Sequence, residues 1–303
     1  MKTTKYYIAA ITAYIIWGFF SLVLKPIHEY PSLDILFYRV FSCSFLMLVI
    51  VLVFKRNSLL ETIAIFKELT ASQKKKNILL NIGGSFFLIA NWFTFIYVMN
   101  HVSVKATSLA YLVCPILTTL LAYFILHEKL KKTQWLAVGL SVTGCLLLSY
   151  ADIMDMFFSI IIGFTYACYL VSQRVNKIFD TFIILTFHIT LAALLLLPFY
   201  SAYSGPVPTE FKFYFCVETI AVLFTIIPLF LNLYALSGIN SSTVGMLLNI
   251  NPMIAFLLAN FVYKEKISSL QIIAYSIIFI AVLVFNAHHL FKIKQKEITP
   301  IKD

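Results

Sequence analysis

The stretch YVMNHVSVKATSLAYLVCPILTTLLAYFILHEKLKKTQWLA, residues 97–137, returns in altered form as YALSGINSSTVGMLLNINPMIAFLLANFVYKEKISSLQIIA at residues 234–274. An ungapped shift of 137 residues aligns ten identical positions between the two stretches. The informative identities are Tyr97 with Tyr234, Pro115 with Pro252, Glu128-Lys129 with Glu265-Lys266, and Gln134 with Gln271. Such a match predicts two copies of one structural unit, with coincidence in a biased composition as the alternative.

Composition indicates that both copies lie in a lipid bilayer. Of the 303 residues, 61% are apolar or aromatic and 12% are charged, whereas about 25% of an ordinary soluble protein is charged. A helix needs about 20 mostly apolar residues to cross the hydrocarbon. The sequence contains ten such runs, so we predict an all-α polytopic membrane protein with ten transmembrane helices. The predicted spans are 6–24, 33–54, 78–99, 105–126, 133–150, 154–172, 181–202, 213–236, 241–262 and 269–290.

The basic residues predict the orientation of the chain. The net charge is +10, but Lys and Arg lie in short clusters between apolar runs rather than on one basic face, which argues against nucleic acid as a partner. With the N-terminus in the cytoplasm, 17 of the Lys and Arg residues outside the spans lie inside and 5 lie outside. The positive-inside rule therefore predicts that both termini are cytoplasmic, including a basic tail at 291–303.

The ten spans divide into two repeats of five, at 1–150 and 151–290. Because five is odd, the second repeat enters the membrane from the other side and is inverted relative to the first. Inverted repeats are typical of transporters, since rocking one half against the other exposes a midplane site to each side in turn. We therefore expect two inverted five-helix repeats that enclose a shared aqueous pocket.

Several kinds of chemistry lack their sequence signals. None of the five cysteines has the CxxC spacing of a zinc site, and all lie in or beside apolar runs. The sequence has no GxxxxGK[ST] loop for ATP and no HExxH motif. We predict no catalytic residue, no metal, no cofactor and no enzymatic activity. The alternative from a different class is an integral membrane enzyme that acts on a lipid-linked substrate.

Short motifs run along nearly the whole chain. The first repeat contains Tyr14-x-x-Trp17-Gly18, Arg39-Val40, Asn91-Trp92, Ser108-Leu109-Ala110-Tyr111 and Gln134-Trp135-Leu136-Ala137-Val138. The second contains Pro228-Leu229, Ser242-Thr243-Val244-Gly245 and Lys264-Glu265-Lys266. Together they resemble the drug/metabolite transporter superfamily, and more closely its RarD-type members with two EamA domains. The resemblance implies a ten-helix fold and transport of metabolites, amino acids or drugs, and we expect a bacterial inner (plasma) membrane protein.

Arg39 is the main candidate for substrate binding. It lies about six residues into the second predicted span, and a charged residue at the centre of a membrane helix costs roughly 2.5–3.5 kcal/mol. Such a charge needs a wet cavity or a partner, so one interpretation is that Arg39 binds a carboxylate or phosphate of the substrate. The other is a structural or snorkelling arginine that binds carbonyl groups of a neighbouring helix.

Aromatic residues give further candidates. Tyr14 and Trp17 share one arc of the first span, where they either stack on a planar substrate or form part of an interfacial aromatic belt. Tyr111 belongs to the motif of the fourth span that carries the family resemblance. We include all three residues among the predicted substrate-binding residues.

Polar faces on two further spans complete the predicted site. Asn91 and Trp92 lie on the third span, and Tyr169 and Gln173 lie on the sixth. Two polar faces on spans that are not adjacent in sequence predict a wet space between them. Hydrogen-bonded helix packing is the alternative.

The paired prolines predict breaks in two membrane helices. Pro115 and Pro252 each remove a backbone donor within a span, and broken helices at equivalent places point to a transporter's binding region. Asn249 and Asn251 lie beside the second proline and are further candidates for contact with the substrate. The alternative is a packing kink at each proline.

These features predict a secondary transporter that exports small metabolites, such as amino acids or related compounds, by alternating access. Uptake or exchange of a nucleotide-like metabolite is the alternative within this class. The expected partners are an anionic or zwitterionic small molecule and the lipid bilayer, and a homodimer is left open. Within the seventh span, His188 is either a protonatable group that couples transport to protons or a packing residue.

Overall fold

The computed structural model describes residues 3–102, 104–149, 153–264 and 268–298, and within these ranges the chain is helical with short connections. The α-helices are α1 Thr4–Gly18, α2 Ser21–Leu24, α3 Ser32–Val53, α4 Arg56–Glu68, α5 Ala71–His101, α6 Val104–Leu126, α7 Lys132–Ser149, α8 Ile153–Val175, α9 Thr181–Tyr203, α10 Phe211–Ala221, α11 Ile227–Gly238, α12 Ser241–Leu247, α13 Ile250–Phe261 and α14 Ser269–Ile298. A 3₁₀ turn, Lys25–Ile27, follows α2, and a π turn, Val222–Ile226, joins α10 to α11.

The all-helical membrane prediction is confirmed. Across the described ranges, nine helical segments are long and apolar enough to cross a membrane, and each coincides with a predicted span. The fifth predicted span, 133–150, corresponds to α7, an 18-residue helix outside this group that carries Lys132 and Gln134 in its first turn. α7 packs along α14. The count of ten transmembrane helices therefore stays a prediction.

The helices end at two surfaces. We call the surface that carries Lys55, Asp180 and Glu128 the basic end, because most Lys and Arg residues outside the spans lie in its loops. There, Lys55 Nζ lies 3.7 Å from Asp180 Oδ2. At the opposite end, the Gly205 amide donates a hydrogen bond to Asp34 Oδ1 at 3.1 Å. Consecutive spans therefore run antiparallel between the basic end and the opposite end.

Two helical segments extend beyond the predicted spans. The segment 55–77 was expected to be a loop, but it contains α4 and the first turns of α5. Thr70 caps α5, because the backbone N–H of Gln73 donates to Thr70 Oγ1 at 3.4 Å and the backbone N–H of Thr70 donates to Gln73 Oε1 at 3.0 Å. This Thr-x-x-Gln capping box is a helix-start signal that hydropathy does not detect. The predicted tail 291–303 also lies partly in α14, and residues 299–303 lie outside the described ranges.

The two repeat prolines differ in their effect on the backbone. α6 continues through Pro115 without a break, which corrects the expectation for the first repeat. In the second repeat, α12 ends at Leu247 and α13 begins at Ile250, so the break precedes Pro252. A proline removes only one backbone donor, and a membrane helix tolerates this loss when neighbouring groups compensate for it.

Close helix contacts cross between the two halves of the chain. α1 packs on α11 and α13, α8 packs on α5 and α6, and the pairs α3–α9, α6–α12 and α7–α14 are also in contact. Gly163 allows α8 to approach α6, since a Cβ atom there would lie 3.2 Å from both Ala110 O and Cys114 N. Small residues at a crossing let the backbones of membrane helices come close.

Replacing Gly163 with leucine should therefore destabilise the bundle. The added side chain meets backbone atoms of α6 that cannot turn away, and overpacking of this kind costs about 1–3 kcal/mol. Gly139→Leu on α7 is the matched control, because a Cβ atom at Gly139 has no neighbour within 4 Å. The measurement is the thermal midpoint of the purified protein in detergent. Equal midpoints for the two variants would contradict the close approach of α6 and α8.

Candidate functional site

A cavity of about 170 Å³ lies between the two halves of the chain. Ser32, the first residue of α3, and Met99, near the end of α5, line it, so the cavity reaches towards the opposite end. Most of the wall is apolar or aromatic. Its main polar side chains are Arg39, Asn91, Thr225 and Asn251. An apolar cavity with a few placed polar groups is the usual form of a small-molecule site.

Arg39 brings a positive charge to the wall of this cavity. Its Cζ atom lies 5.0 Å from the centroid of the Trp92 ring, which places the guanidinium over an aromatic face. Arg39 Nε is enclosed and has no hydrogen-bond partner among the described residues. No carboxylate of the described chain lies within ion-pair distance of the guanidinium. The cation therefore has donor capacity that an anionic group in the cavity can use.

Asn91 connects α5 to α8 and also lines the cavity. Its Nδ2 donates to the Ile162 carbonyl oxygen at 2.9 Å and lies 3.4 Å from Thr165 Oγ1. The amide nitrogen is thus occupied by the helix contact, which leaves Oδ1 as the acceptor for the cavity. Asn91 and Arg39 together offer an acceptor and a donor to a bound molecule.

Trp17 is fixed by a backbone acceptor on the other half of the chain. Its Nε1 donates to the Phe224 carbonyl oxygen at 2.7 Å. Pro228 follows four residues later and has no N–H group, so this carbonyl lacks its α-helical donor. The Tyr166 ring packs edge-on against Trp17 with a centroid separation of 6.2 Å. Both rings line the cavity, and Tyr111 does so as well.

Tyr14 lies behind the cavity wall rather than in it. Its hydroxyl donates to Asn232 Oδ1 at 2.8 Å, and Asn232 Nδ2 donates to the Tyr166 hydroxyl at 3.0 Å. Tyr14 and Asn232 are both fully buried. We predicted a contact between Tyr14 and the substrate, whereas the structure places Tyr14 in a hydrogen-bond chain that supports Tyr166.

Five side chains near the basic end form a second group, which we call the polar cluster: Asn81, Tyr169, Gln173, Asn176 and His188. Asn81 Oδ1 accepts from Asn176 Nδ2 at 2.8 Å and lies 3.2 Å from His188 Nε2. His188 Nδ1 lies 3.5 Å from the Tyr169 hydroxyl. The structure therefore separates Tyr169 and Gln173 from the cavity, and at this level the two polar faces meet by direct hydrogen bonds rather than across a wet space.

One more predicted residue lies outside the cavity wall. Asn249 is fully buried, and its Nδ2 donates to the Met246 carbonyl oxygen at 3.2 Å. Its neighbour Asn251 lines the cavity instead. Tyr166 and Thr225 line the cavity but were not among the predicted residues, although Tyr166 stands one helical turn from Tyr169 and so belongs to the same stripe of α8.

The fold and the cavity define a class of protein, a polytopic helical membrane protein with a small-molecule cavity between its halves. The sequence profile of the EamA-like transporter family matches residues 4–150 and again residues 153–287, so the chain belongs to that family. It is a multi-pass membrane transporter with two EamA repeats.

Similar proteins agree with this assignment. The uncharacterized transporter YojE of Bacillus subtilis (strain 168) is 29% identical over 292 residues, which cover 94% of each chain. Protein RarD of Escherichia coli (strain K12) is 25% identical over 290 residues, again 94% of each chain. One solved crystal structure matches with a TM-score of 0.74 at 14% identity, covers 94% of this chain and 98% of that one, and supports the fold alone. The chain is a RarD-like member of the drug/metabolite transporter superfamily.

Replacing Asn232 with leucine should destabilise the cavity wall. The change leaves the Tyr14 and Tyr166 hydroxyls without their shared partner, and a buried unsatisfied polar group costs about 1–3 kcal/mol. Thermal unfolding of Asn232→Leu, Tyr14→Phe and the double variant measures the coupling between the two residues. We expect the double variant to lose less stability than the sum of the single variants. Strict additivity would show that the hydrogen bond contributes nothing.

Proposed function

We propose that the protein is a secondary transporter that exports small metabolites with a carboxylate or phosphate group, such as amino acids and related compounds. The observation that carries the proposal is the Arg39 guanidinium, which lies in the wall of a shared cavity without a carboxylate partner among the described residues. Arg39 binds the anionic group of the substrate, and Asn91 Oδ1 accepts from a donor such as an ammonium. Trp17, Trp92 and Tyr111 supply apolar contact.

The size of the cavity favours an amino-acid-sized substrate over a larger one. Sites for drug-sized ligands are about 300–1,000 Å³, whereas this cavity is about 170 Å³. Transport of a nucleotide-like metabolite is the alternative, and it requires a wider form of the cavity. A panel of labelled substrates distinguishes the two.

Matched helix contacts support two inverted repeats with boundaries at 1–150 and 151–290. Under such symmetry α1 corresponds to α8, α3 to α9, α5 to α10–α11, α6 to α12–α13, and α7 to α14. The contact of α5 with α8 then has its counterpart in α11 with α1, and that of α6 with α8 in α13 with α1. The two-fold would map each of the contacts α3–α9, α6–α12 and α7–α14 onto itself, because its two helices correspond to each other. In this scheme α7 also crosses the membrane and brings the number of spans to ten. A two-fold relation of this kind provides the two states of alternating access.

Hydrogen bonds between the halves lie at the basic end and support its closure in the proposed mechanism. Glu128, after α6, accepts hydrogen bonds from the Ser241 amide at 2.8 Å and from Ser242 Oγ at 2.6 Å, at the N-terminus of α12. Arg174 in α8 donates to the carbonyl oxygen of Leu236 in α11. In the proposed mechanism the cavity extends towards the opposite end, and these contacts must break before the basic end can open. The matching pair Glu265-Lys266 lies outside the described residues.

The polar cluster is the closed counterpart of the cavity in this mechanism. Arg39 is the eighth residue of α3, and His188 is the eighth residue of α9, the helix that corresponds to α3. A small cavity of about 40 Å³ adjoins the cluster beside Gln173 and Asn176. When the basic end opens, this cavity widens and the substrate enters through it.

The orientation that we propose places the basic end in the cytoplasm of a bacterium, with the protein in the inner membrane and both termini inside. The loops at this end carry most of the Lys and Arg residues, as the positive-inside rule requires. Export then means release at the opposite end, where the cavity reaches in this structure. Uptake through the same cavity is the alternative direction, and vesicles of known orientation distinguish them.

Replacing Arg39 with glutamine should reduce transport of carboxylate substrates. A hydrogen bond to a charged group contributes about 1.5–3 kcal/mol, so we expect counterflow in proteoliposomes to fall about ten- to a hundredfold. The control is Lys25→Gln, because Lys25 carries its charge over the Tyr263 ring, outside the cavity wall. Normal membrane insertion with parental counterflow in Arg39→Gln would refute the proposed site.

Replacing Glu128 with alanine should shift the protein towards the state that is open at the basic end. The readout is labelling of Asn251→Cys in the cavity by an impermeant maleimide added at the opposite end, in a background with Cys168→Ser. Loss of charge-assisted hydrogen bonds should lower the labelling rate by a factor of up to about ten. The control is Glu61→Ala on α4, an exposed carboxylate at the same end. An unchanged rate in Glu128→Ala would exclude a closing role for Glu128.

A further inference from the structure

A surface groove of about 460 Å³ runs along α5 next to α8, away from the cavity. Its rim at the basic end carries Lys75 and Lys76, both exposed, with Ser72 beside them. Among the described residues neither lysine pairs with a carboxylate, whereas the neighbouring Lys74 donates to the Lys67 carbonyl oxygen at 2.8 Å. Two adjacent positive charges therefore face outward at the membrane boundary.

The floor of the groove is apolar and continues towards the middle of the membrane. Leu79, Gly83 and Phe87 follow the lysines at intervals of four residues, which places them on one face of α5. At 1.5 Å per residue, the distance from Lys76 to Phe87 is about 16 Å. This length matches one leaflet of a hydrocarbon core that is about 30 Å thick.

Two adjacent glycines separate the groove from the interior. A Cβ atom at Gly83 would have no neighbour within 4 Å, so the backbone there borders open space. A Cβ atom at Gly84 would overlap the Gln173 amide and lie 3.2 Å from His188 Nε2. The groove thus faces outward, and only the backbone of α5 lies between it and the polar cluster.

We propose that this groove binds an anionic glycerophospholipid from the leaflet at the basic end. Its phosphate lies between Lys75 and Lys76, and one acyl chain lies along Leu79, Gly83 and Phe87. The charged rim fits the headgroup, and the apolar floor of one-leaflet length fits the chain. Basic pockets of this kind beside membrane helices bind anionic headgroups.

Native mass spectrometry of the purified protein tests the proposal. The probes are phosphatidylglycerol and phosphatidylcholine with identical acyl chains. Each lysine near a membrane surface contributes a factor of about five to the binding of an anionic lipid, so Lys75→Gln/Lys76→Gln should reduce phosphatidylglycerol affinity about twentyfold. The control, Lys131→Gln/Lys132→Gln, removes two exposed adjacent charges at the basic end that do not line the groove.

A second pair of variants tests the apolar floor without changing any charge. Gly83→Leu fills the groove, while Gly139→Leu adds the same side chain in open space on α7, so both variants should fold. We expect loss of bound phosphatidylglycerol only in Gly83→Leu. Equal loss in both members of either pair, or no preference over phosphatidylcholine, would overturn the proposal. Conversion of a dimer to a monomer by Gly83→Leu, with lipid binding unchanged, would overturn it in favour of a second copy of the chain.

Discussion

A guanidinium among apolar helices must touch something that replaces water, and this requirement shapes the site. The described chain offers Arg39 the face of Trp92 and the cavity, but no carboxylate within ion-pair distance. Packing apolar side chains against the guanidinium would remove its remaining hydration, at a cost of several kcal/mol for a charge. The cavity next to Arg39 is therefore a consequence of the charge. In the proposed function, an anion that enters the cavity is the partner of Arg39.

The same lack of water explains how the halves are joined around the cavity. Within a bilayer every backbone carbonyl needs a donor from the protein, and a proline leaves one carbonyl without its helical partner. Pro228 does this to the carbonyl of Phe224, and Trp17 from the other half supplies the donor at 2.7 Å. A cavity-lining ring is thus fixed by the backbone of the opposite repeat. A movement of the halves must carry Trp17 along or break this bond.

Hydropathy predicted the spans because lipid demands long apolar helices, but it failed where the helix signal was polar. The Thr70 capping box starts α5 within a basic run, and hydropathy treats such a run as a loop. Arg39, Asn91 and Tyr111 all line the cavity, and their role in binding stays a prediction. Tyr169 and Gln173 were separated from them, because periodicity gives the face of a helix but not the depth at which a neighbour meets it.

The contrast between the cavity and the polar cluster follows from the hydrogen-bonding capacity of their side chains. Amides and an imidazole can both donate and accept, so Asn81, Asn176 and His188 hydrogen-bond to one another through Asn81 Oδ1. A guanidinium has only donors, and no set of neighbouring lysines or arginines can close around it. Arg39 therefore lies in the wall of a cavity, whereas the side chain of His188 lies among hydrogen-bonded polar neighbours. Arg39 and His188, each the eighth residue of its helix, therefore stand in different surroundings on α3 and α9.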